Sequence, residues 1–184
     1  FKSLTTASVA ALTTAQAAVI TTGQLAGLSK AQVGALTTAQ VGALTTTQAK
    51  ALSALNLASL TTGQLKALST SAVNALDAKQ VAALTTQQVS LLSTIQLMAL
   101  TVKQVAALQT QDIASLTTIQ LQSLTTLQTS ALTTAQVSAL RLDEIANLKT
   151  EQISAMSVAQ LLALSTQQIQ AISTQGMAAF KGVQ

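Results

Sequence analysis

A large apolar residue recurs every eight positions without a break, from Leu4 through Leu12, Leu36, Leu68, Leu100 and Leu140 to Phe180. The residues between follow one template, [Ser/Thr]-Thr-x-Gln-[Val/Ile/Leu]-x-Ala-Leu. A period this short, held over 184 residues, restricts the chain to architectures in which one small unit is copied and stacked. Numbered from residue 5, the octad gives 22 full units. Position one is Ser, Thr or Asp in 19 of them, the exceptions being Gln109, Arg141 and Lys149. Position four is Gln in 16, with Glu144 as a close substitute, and position five is Val, Ile, Leu or Met in 19, failing at Ala17, Ala49 and Thr129. The chain starts and stops inside a unit, and neither end departs enough from the template to cap a solenoid, so a window onto a longer array is expected.

Ser or Thr followed three residues later by Gln is the capping box: the hydroxyl accepts from the third helical N–H, and the Gln side chain reaches back to the cap N–H. The Leu before the cap and the Val, Ile or Leu after the Gln form the two halves of a hydrophobic staple. In the segment Leu36 to Leu44, Thr37 and Gln40 exchange caps while Leu36 faces Val41, and Thr85 with Gln88 and Thr133 with Gln136 repeat the pair. An N-cap has non-helical backbone angles, so a cap in every octad makes the chain leave the helix and re-enter it each time. Helices of roughly six or seven residues, under two turns each, are predicted. Positions five and eight, three apart, point inward with the small Ala of position seven beside them, and positions two, three and six face out. Leu36, Val41, Leu44, Leu84, Val89, Leu100, Val105 and Leu140 are thereby assigned to the core.

One octad cannot fold alone. Burying two aliphatic side chains gains about 3 to 6 kcal/mol, whereas ordering eight residues costs about 1 to 2 kcal/mol each in backbone entropy. Stability has to come from neighbours coiled around a common apolar axis. Residues 77 to 100 and 101 to 124 match across three octads, with Lys79, Gln87 and Ile95 reappearing as Lys103, Gln111 and Ile119. Three octads per coil follow, giving an all-α, short-repeat solenoid of roughly eight coils and about 60 to 80 Å in length. A three-sided β-helix has the same period, but the Gly, Asn, Asp or Pro that its corners need are sparse. In one continuous helix, successive octads would turn by about 80° net, winding the Leu stripe around the axis.

Composition removes several function classes. Charged residues are 8 %, the net charge of +4 is scattered singly, and His, Cys, Trp, Tyr and Pro are absent. This pattern argues against a nucleic-acid footprint, thiolate metal sites and a disulfide framework. Polar residues, mostly Thr and Gln, interrupt every octad, so no transmembrane segment is expected. The carboxylates Asp143, Glu144 and Glu151 sit among Arg141 and Lys149 and read as surface pairs, with a weak cation site at Asp143 and Glu151 as the alternative. No cofactor, small-molecule substrate or catalytic residue is expected. Position two is Thr in 16 units although capping needs only position one; it reads as a tolerated first-turn residue that keeps the surface soluble without charge, with a Thr surface for ordering water or ice or for presenting hydroxyls to a partner as the alternative. Leu55, Ile95, Ile119 and Leu127 at position three, with Met98 and Leu162 at position six, are oddly apolar for outward columns and are candidates for self-association.

The run Leu36-Thr37-Thr38-Ala39-Gln40-Val41-Gly42-Ala43-Leu44 resembles the first helix of the DNA-binding repeats of plant-pathogen TAL effectors. The similarity ends after that helix: the second helix and base-reading loop of those repeats have no counterpart in any octad. Over its whole length the chain resembles the long Thr-, Ala- and Gln-rich, Cys-free repeat arrays of large bacterial secreted and surface proteins. That resemblance implies a non-enzymatic rod in an extracellular or cell-surface filament, sheath or fibre, self-associating into fibres or lateral bundles. The alternative is a binding solenoid or adhesin stalk. If the octad phase is right, Thr37→Ala lowers stability by about 0.5 to 2 kcal/mol in thermal or urea unfolding, whereas Thr38→Ala changes little. Equal losses at both sites would place the cap elsewhere.

Overall fold

The protein is described by a computed structural model covering residues 2–179. Every regular element among these residues is a helix of four to six residues, from Thr6–Ala10 to Thr174–Ala178, one in each of the 22 octads. No strand occurs among the described residues, so the β-helix alternative falls. Phe180, the last of the recurring apolar residues, lies outside them.

Each helix begins where the sequence places its cap. Thr37, at φ −74° and ψ 159°, is extended and accepts from the Gln40 N–H; Thr85 and Thr133 do the same for Gln88 and Gln136. Among the described residues, seven helices have the six residues expected and the other fifteen are shorter, because the helices close early. The N–H of each described position-eight residue from Leu12 to Ile172 bonds the carbonyl three back, as Leu44 does to Val41 at 3.2 Å, a tightened last turn. The chain then runs extended into the next cap, as at Leu52 with φ −63° and ψ 133°. No described residue has positive φ. The corners are built from two extended residues in succession, which explains why the chain turns every eight residues with so little Gly and no Pro.

Every helix packs against the helix three places along, so three octads complete one coil. A first side stacks Thr6–Ala10, Lys30–Gly34, Ala54–Ala58, Ala78–Ala82, Val102–Ala107, Thr126–Ser130, Thr150–Ser154 and Thr174–Ala178. A second stacks Thr14–Ala18, Thr38–Gly42, Thr62–Ala67, Thr86–Ser90, Thr110–Ile113, Thr134–Ser138 and Val158–Leu162. The third stacks Thr22–Ala26, Thr46–Ala51, Thr70–Ala75, Thr94–Ala99, Thr118–Ser123, Leu142–Ala146 and Thr166–Ala171. Coils approach closely: a Cβ added at Gly42 would stand 3.2 Å from the Ala67 carbonyl oxygen one coil on.

The apolar axis is one continuous cluster from Val9 to Ile172. Leu36, Val41, Leu44, Leu84, Val89, Leu100, Val105 and Leu140 are all buried in it. Thr129, a polar intrusion at position five, is buried too, and its hydroxyl donates to the Thr125 carbonyl at 3.0 Å. Position seven does not join the core as expected. Ala43, Ala67 and Ala99 are half-buried, and Val19 is exposed. The place beside positions five and eight belongs instead to position four, the Gln column. No helix among the described residues is long and apolar enough to cross a membrane.

Candidate functional site

The Gln column makes two sets of bonds, and only one was legible as a cap. Gln40 accepts the Thr37 N–H on Oε1 at 2.6 Å while its own N–H donates to Thr37 Oγ1 at 3.2 Å. Its Nε2 then crosses to the coil below and donates to the carbonyls of Leu12 at 2.6 Å and Val9 at 3.0 Å. Gln88 reaches Leu60 O and Gln136 reaches Leu108 O, each at 2.7 Å. The spacing of 28 residues recurs from Gln32 to Gln168. These amides are buried, Gln40 to 1 % exposure, and they supply the donors that helix C-terminal carbonyls lack. A signal for this was present in the sequence. Glu serves a capping box as well as Gln does, yet the column holds Gln in 16 units and Glu in one, a bias that capping alone does not require.

The exceptions at position four show what each bond contributes. Asn56, one methylene shorter, keeps the inter-coil bond to Leu28 O at 3.0 Å and forms no capping box. Ala72 makes neither bond. Asp112 and Glu144 can accept but, when ionised, cannot donate, and in both octads position one has changed as well. Gln109 donates from Nε2 to Ala82 O at 3.2 Å, and Arg141 from Nη1 to Ala114 O at 3.0 Å. Those carbonyls lie 30 residues before the acids, where Gln40 finds Ala10 O. The donor has moved from position four to position one. Only half of each capping box survives: the Gln109 and Arg141 N–H groups donate to Asp112 and Glu144 at 2.9 and 2.7 Å, with no hydroxyl in return. Lys149, the third exception, keeps Gln152, whose Nε2 donates to Leu121 O and Leu124 O.

The carboxylates expected at the surface separate into two environments. Asp143 is exposed and pairs with Arg141 Nε at 3.2 Å, a contact that holds its carboxyl below the usual range and raises the guanidinium further. Glu144 lies beneath, 1 % exposed; burial pushes its carboxyl up, against the pull of the Arg141 N–H and charge. Asp112 is also buried, with Thr86 Oγ1 donating to Oδ1 at 2.8 Å. Asp143 is engaged by Arg141, and Glu151 belongs to the following helix on another side. No group of three His, Cys, Asp or Glu that could hold a metal ion occurs among the described residues.

Outward residues differ between sides. Leu55 and Leu127 both stand out from the first side, but the coils between carry Lys79 and Lys103 at the same position. Ile95 and Ile119, 66 % and 72 % exposed, lie on adjacent coils of the third side with Met98. The four candidates therefore form no single surface, and only the third-side pair is contiguous. A shallow groove there is lined by Thr94, Met98, Ile119, Gln122 and Lys149, and another, toward the N-terminus, by Thr46, Thr70, Ser71 and Asn74. On the second side position two is Thr in six coils running: Thr14, Thr38, Thr62, Thr86, Thr110 and Thr134.

A family model described as the ALTTAQ repeat matches residues 17–54, 57–94, 105–141 and 145–181. Each match begins at position five of an octad, so the family's longer unit keeps the eight-residue phase while spanning more than one coil. No curated protein matches the chain.

The ladder predicts opposite effects for substitutions into and out of the Gln column. In Gln104→Glu an ionised acceptor replaces the amide that donates to Val73 O and Leu76 O at 2.9 and 2.7 Å. A loss of about 1 to 3 kcal/mol, the cost of a buried group left unsatisfied, is expected in urea unfolding at neutral pH. Ala72→Gln adds the missing rung and raises stability by about 1 kcal/mol. Equal stability in wild type and both variants would remove the inter-coil bond from the energetics of the fold.

Proposed function

The chain belongs to the ALTTAQ repeat family, and we propose that it is a non-enzymatic structural element: a rod segment of an extracellular bacterial filament, sheath or surface fibre that binds further copies of itself through uncharged sides. The observation that carries this reading is the stacking of Ile95, Met98 and Ile119 on adjacent coils of the third side. Contiguous exposed apolar area on a sparsely charged surface favours association with another surface. The interior supports a rod, because each coil is bonded to the one below by buried amides as well as packed against it. Support for a non-catalytic role comes from the titratable groups: the closest cluster, Arg141, Asp143 and Glu144, is occupied with pairing and capping.

A second reading, a binding solenoid, is favoured by the six consecutive Thr of the second side. Their neighbours at positions three and six are mostly Ala, Gly, Gln and Ser, and Thr14, Thr38, Thr110 and Thr134 are exposed for ordering water or meeting a partner, whereas Thr62 and Thr86 are half-buried and the Thr86 hydroxyl is given to Asp112.

The two readings separate in sedimentation and negative-stain microscopy of the purified chain. Self-association predicts lateral bundles that grow with concentration, and their loss in Ile95→Lys with Ile119→Lys while helical circular dichroism is unchanged. Bundles that persist in the double variant would take those residues out of the interface. A wild-type chain that stays monomeric would sink the filament reading. Inhibition of ice recrystallisation, abolished by Thr38→Lys with Thr62→Lys, would then support the Thr surface.

A further inference from the structure

Glu144 is the one buried side chain among the described residues with an oxygen that accepts no hydrogen bond. Its Oε2 accepts the Arg141 N–H at 2.7 Å, the bond that Gln Oε1 makes elsewhere in the column. The remaining oxygen, Oε1, thereby corresponds to the Nε2 that Gln40, Gln88 and Gln136 point at the carbonyl 28 residues back. For Glu144 that carbonyl is Leu116 O. By that register an acceptor stands in the column where the glutamines from Gln32 to Gln168 put a donor against an acceptor.

Arg141 does not resolve this. Its Nη2 lies 3.1 Å from Glu144 Oε1, but its N–H groups are directed to Asp143 and to Ala114 O, and Oε1 receives no hydrogen bond. The guanidinium is half exposed, so solvent weakens its field. No other charge acts from the neighbouring elements. The helices packed against Leu142–Ala146 are Thr118–Ser123 and Thr166–Ala171, and neither holds a titratable residue. On its own helix Glu144 has Asp143, which is turned to Arg141. In the helix Thr110–Ile113 of the coil below, on the second side, Asp112 has its oxygens bound to Thr86 Oγ1 and the Gln109 N–H.

We propose that Glu144 is a pH-sensitive rung of the ladder: protonated, it donates from Oε1 to the Leu116 carbonyl and locks its coil to the one below; ionised, it leaves that interface to Arg141 alone. The reaction is a single proton exchange with solvent and needs no other reactant. Burial, which raises the carboxyl above its ordinary range, acts in the same direction. A carboxyl whose folded pKa exceeds its unfolded value contributes stability that is complete below the unfolded pKa, about 4.3 for glutamate. That contribution is lost as pH rises through the folded value. The rod is thus tightened at this coil in acid and loosened toward neutrality. This inference is independent of whether the rod forms filaments.

The chain has only two glutamates, Glu144 and Glu151, which makes a direct test available. In the full chain labelled with 13C at the Glu carboxyl, Glu151→Gln leaves one resonance, that of Glu144, to be followed against pH. The expected result is a midpoint clearly above about 4.3. Glu144→Gln restores a permanent donor, so its advantage over wild type in folding equilibrium should grow by up to tenfold per pH unit between about 4.3 and that midpoint and stay constant above it. A midpoint at or below the ordinary glutamate value would overturn the proposal and make Glu144 an ionised partner of Arg141. A stability difference that does not vary with pH would do the same.

Discussion

In a helix of five residues the first-turn N–H groups and the last-turn carbonyls are nearly the whole backbone, so almost none of its polar groups find partners within the helix. A solenoid built from such helices needs external partners for both ends of every unit. The Gln at position four meets both needs because a primary amide carries an acceptor and a donor on one rigid group. Gln40 takes the Thr37 N–H on one side and gives to Leu12 O on the other. Capping and coil-to-coil register are thereby a single interaction. The Leu, Val and Ile columns drive burial without direction; the amide fixes which carbonyl stacks on which amide, 28 residues apart.

The compensation in the two acidic octads follows from the same constraint. Exchanging the amide for a carboxylate removes the donor and leaves carbonyls of the coil below unbonded. A Ser or Thr at position one is too short to replace it. Gln109 and Arg141 are long enough to reach Ala82 O and Ala114 O, and each gives up the hydroxyl cap to do so. The exchange of one bond type for the other implies that the inter-coil donor and the hydroxyl cap are of comparable value, each on the order of 1 kcal/mol. Ala72 shows that one rung can be missing when its neighbours are intact.

Much of the fold was legible in the octad. The cap pairs Thr37 with Gln40, Thr85 with Gln88 and Thr133 with Gln136 are seen as expected, and the internal match of Lys79 with Lys103 and Ile95 with Ile119 reports the three-helix coil correctly. Local rules suffice there, since a capping box depends only on residues three apart. Burial of the Gln column was not legible by those rules, because a polar residue is assigned to the core only when its distant partner is known, and Leu12 is 28 residues from Gln40. For the same reason Ala43 and its equivalents were drawn inward: a small apolar residue next to a Leu reads as core until the amide is found in that place. For the outward apolar residues the octad sets the position but not the side of the coil, so Leu55 and Leu127 are equivalent to Ile95 and Ile119 in sequence and separate from them in the stacking order.

An interior satisfied column by column places no demand on the outward positions beyond solubility. Positions two, three and six accordingly vary from side to side: an unbroken Thr column on the second, lysines and isolated leucines on the first, and a polar stretch at Thr46, Thr70, Ser71 and Asn74 that gives way to Ile95, Met98 and Ile119 on the third. Because each side advances one helix per coil, a residue type repeated every 24 positions becomes a continuous stripe, whereas the same residues at other spacings are scattered over three sides. Surface composition is therefore a weak guide in this fold and the 24-residue register a strong one. The Ile95–Ile119 pair and the six Thr meet that condition, and the Leu55–Leu127 pair, three coils apart with two lysine-bearing coils between, does not. Charge obeys the same geometry. The Arg141–Asp143 pair stands directly above the apolar stripe on the third side, where a partner lying along the stripe would meet the outer face of the coil that Glu144 closes from within.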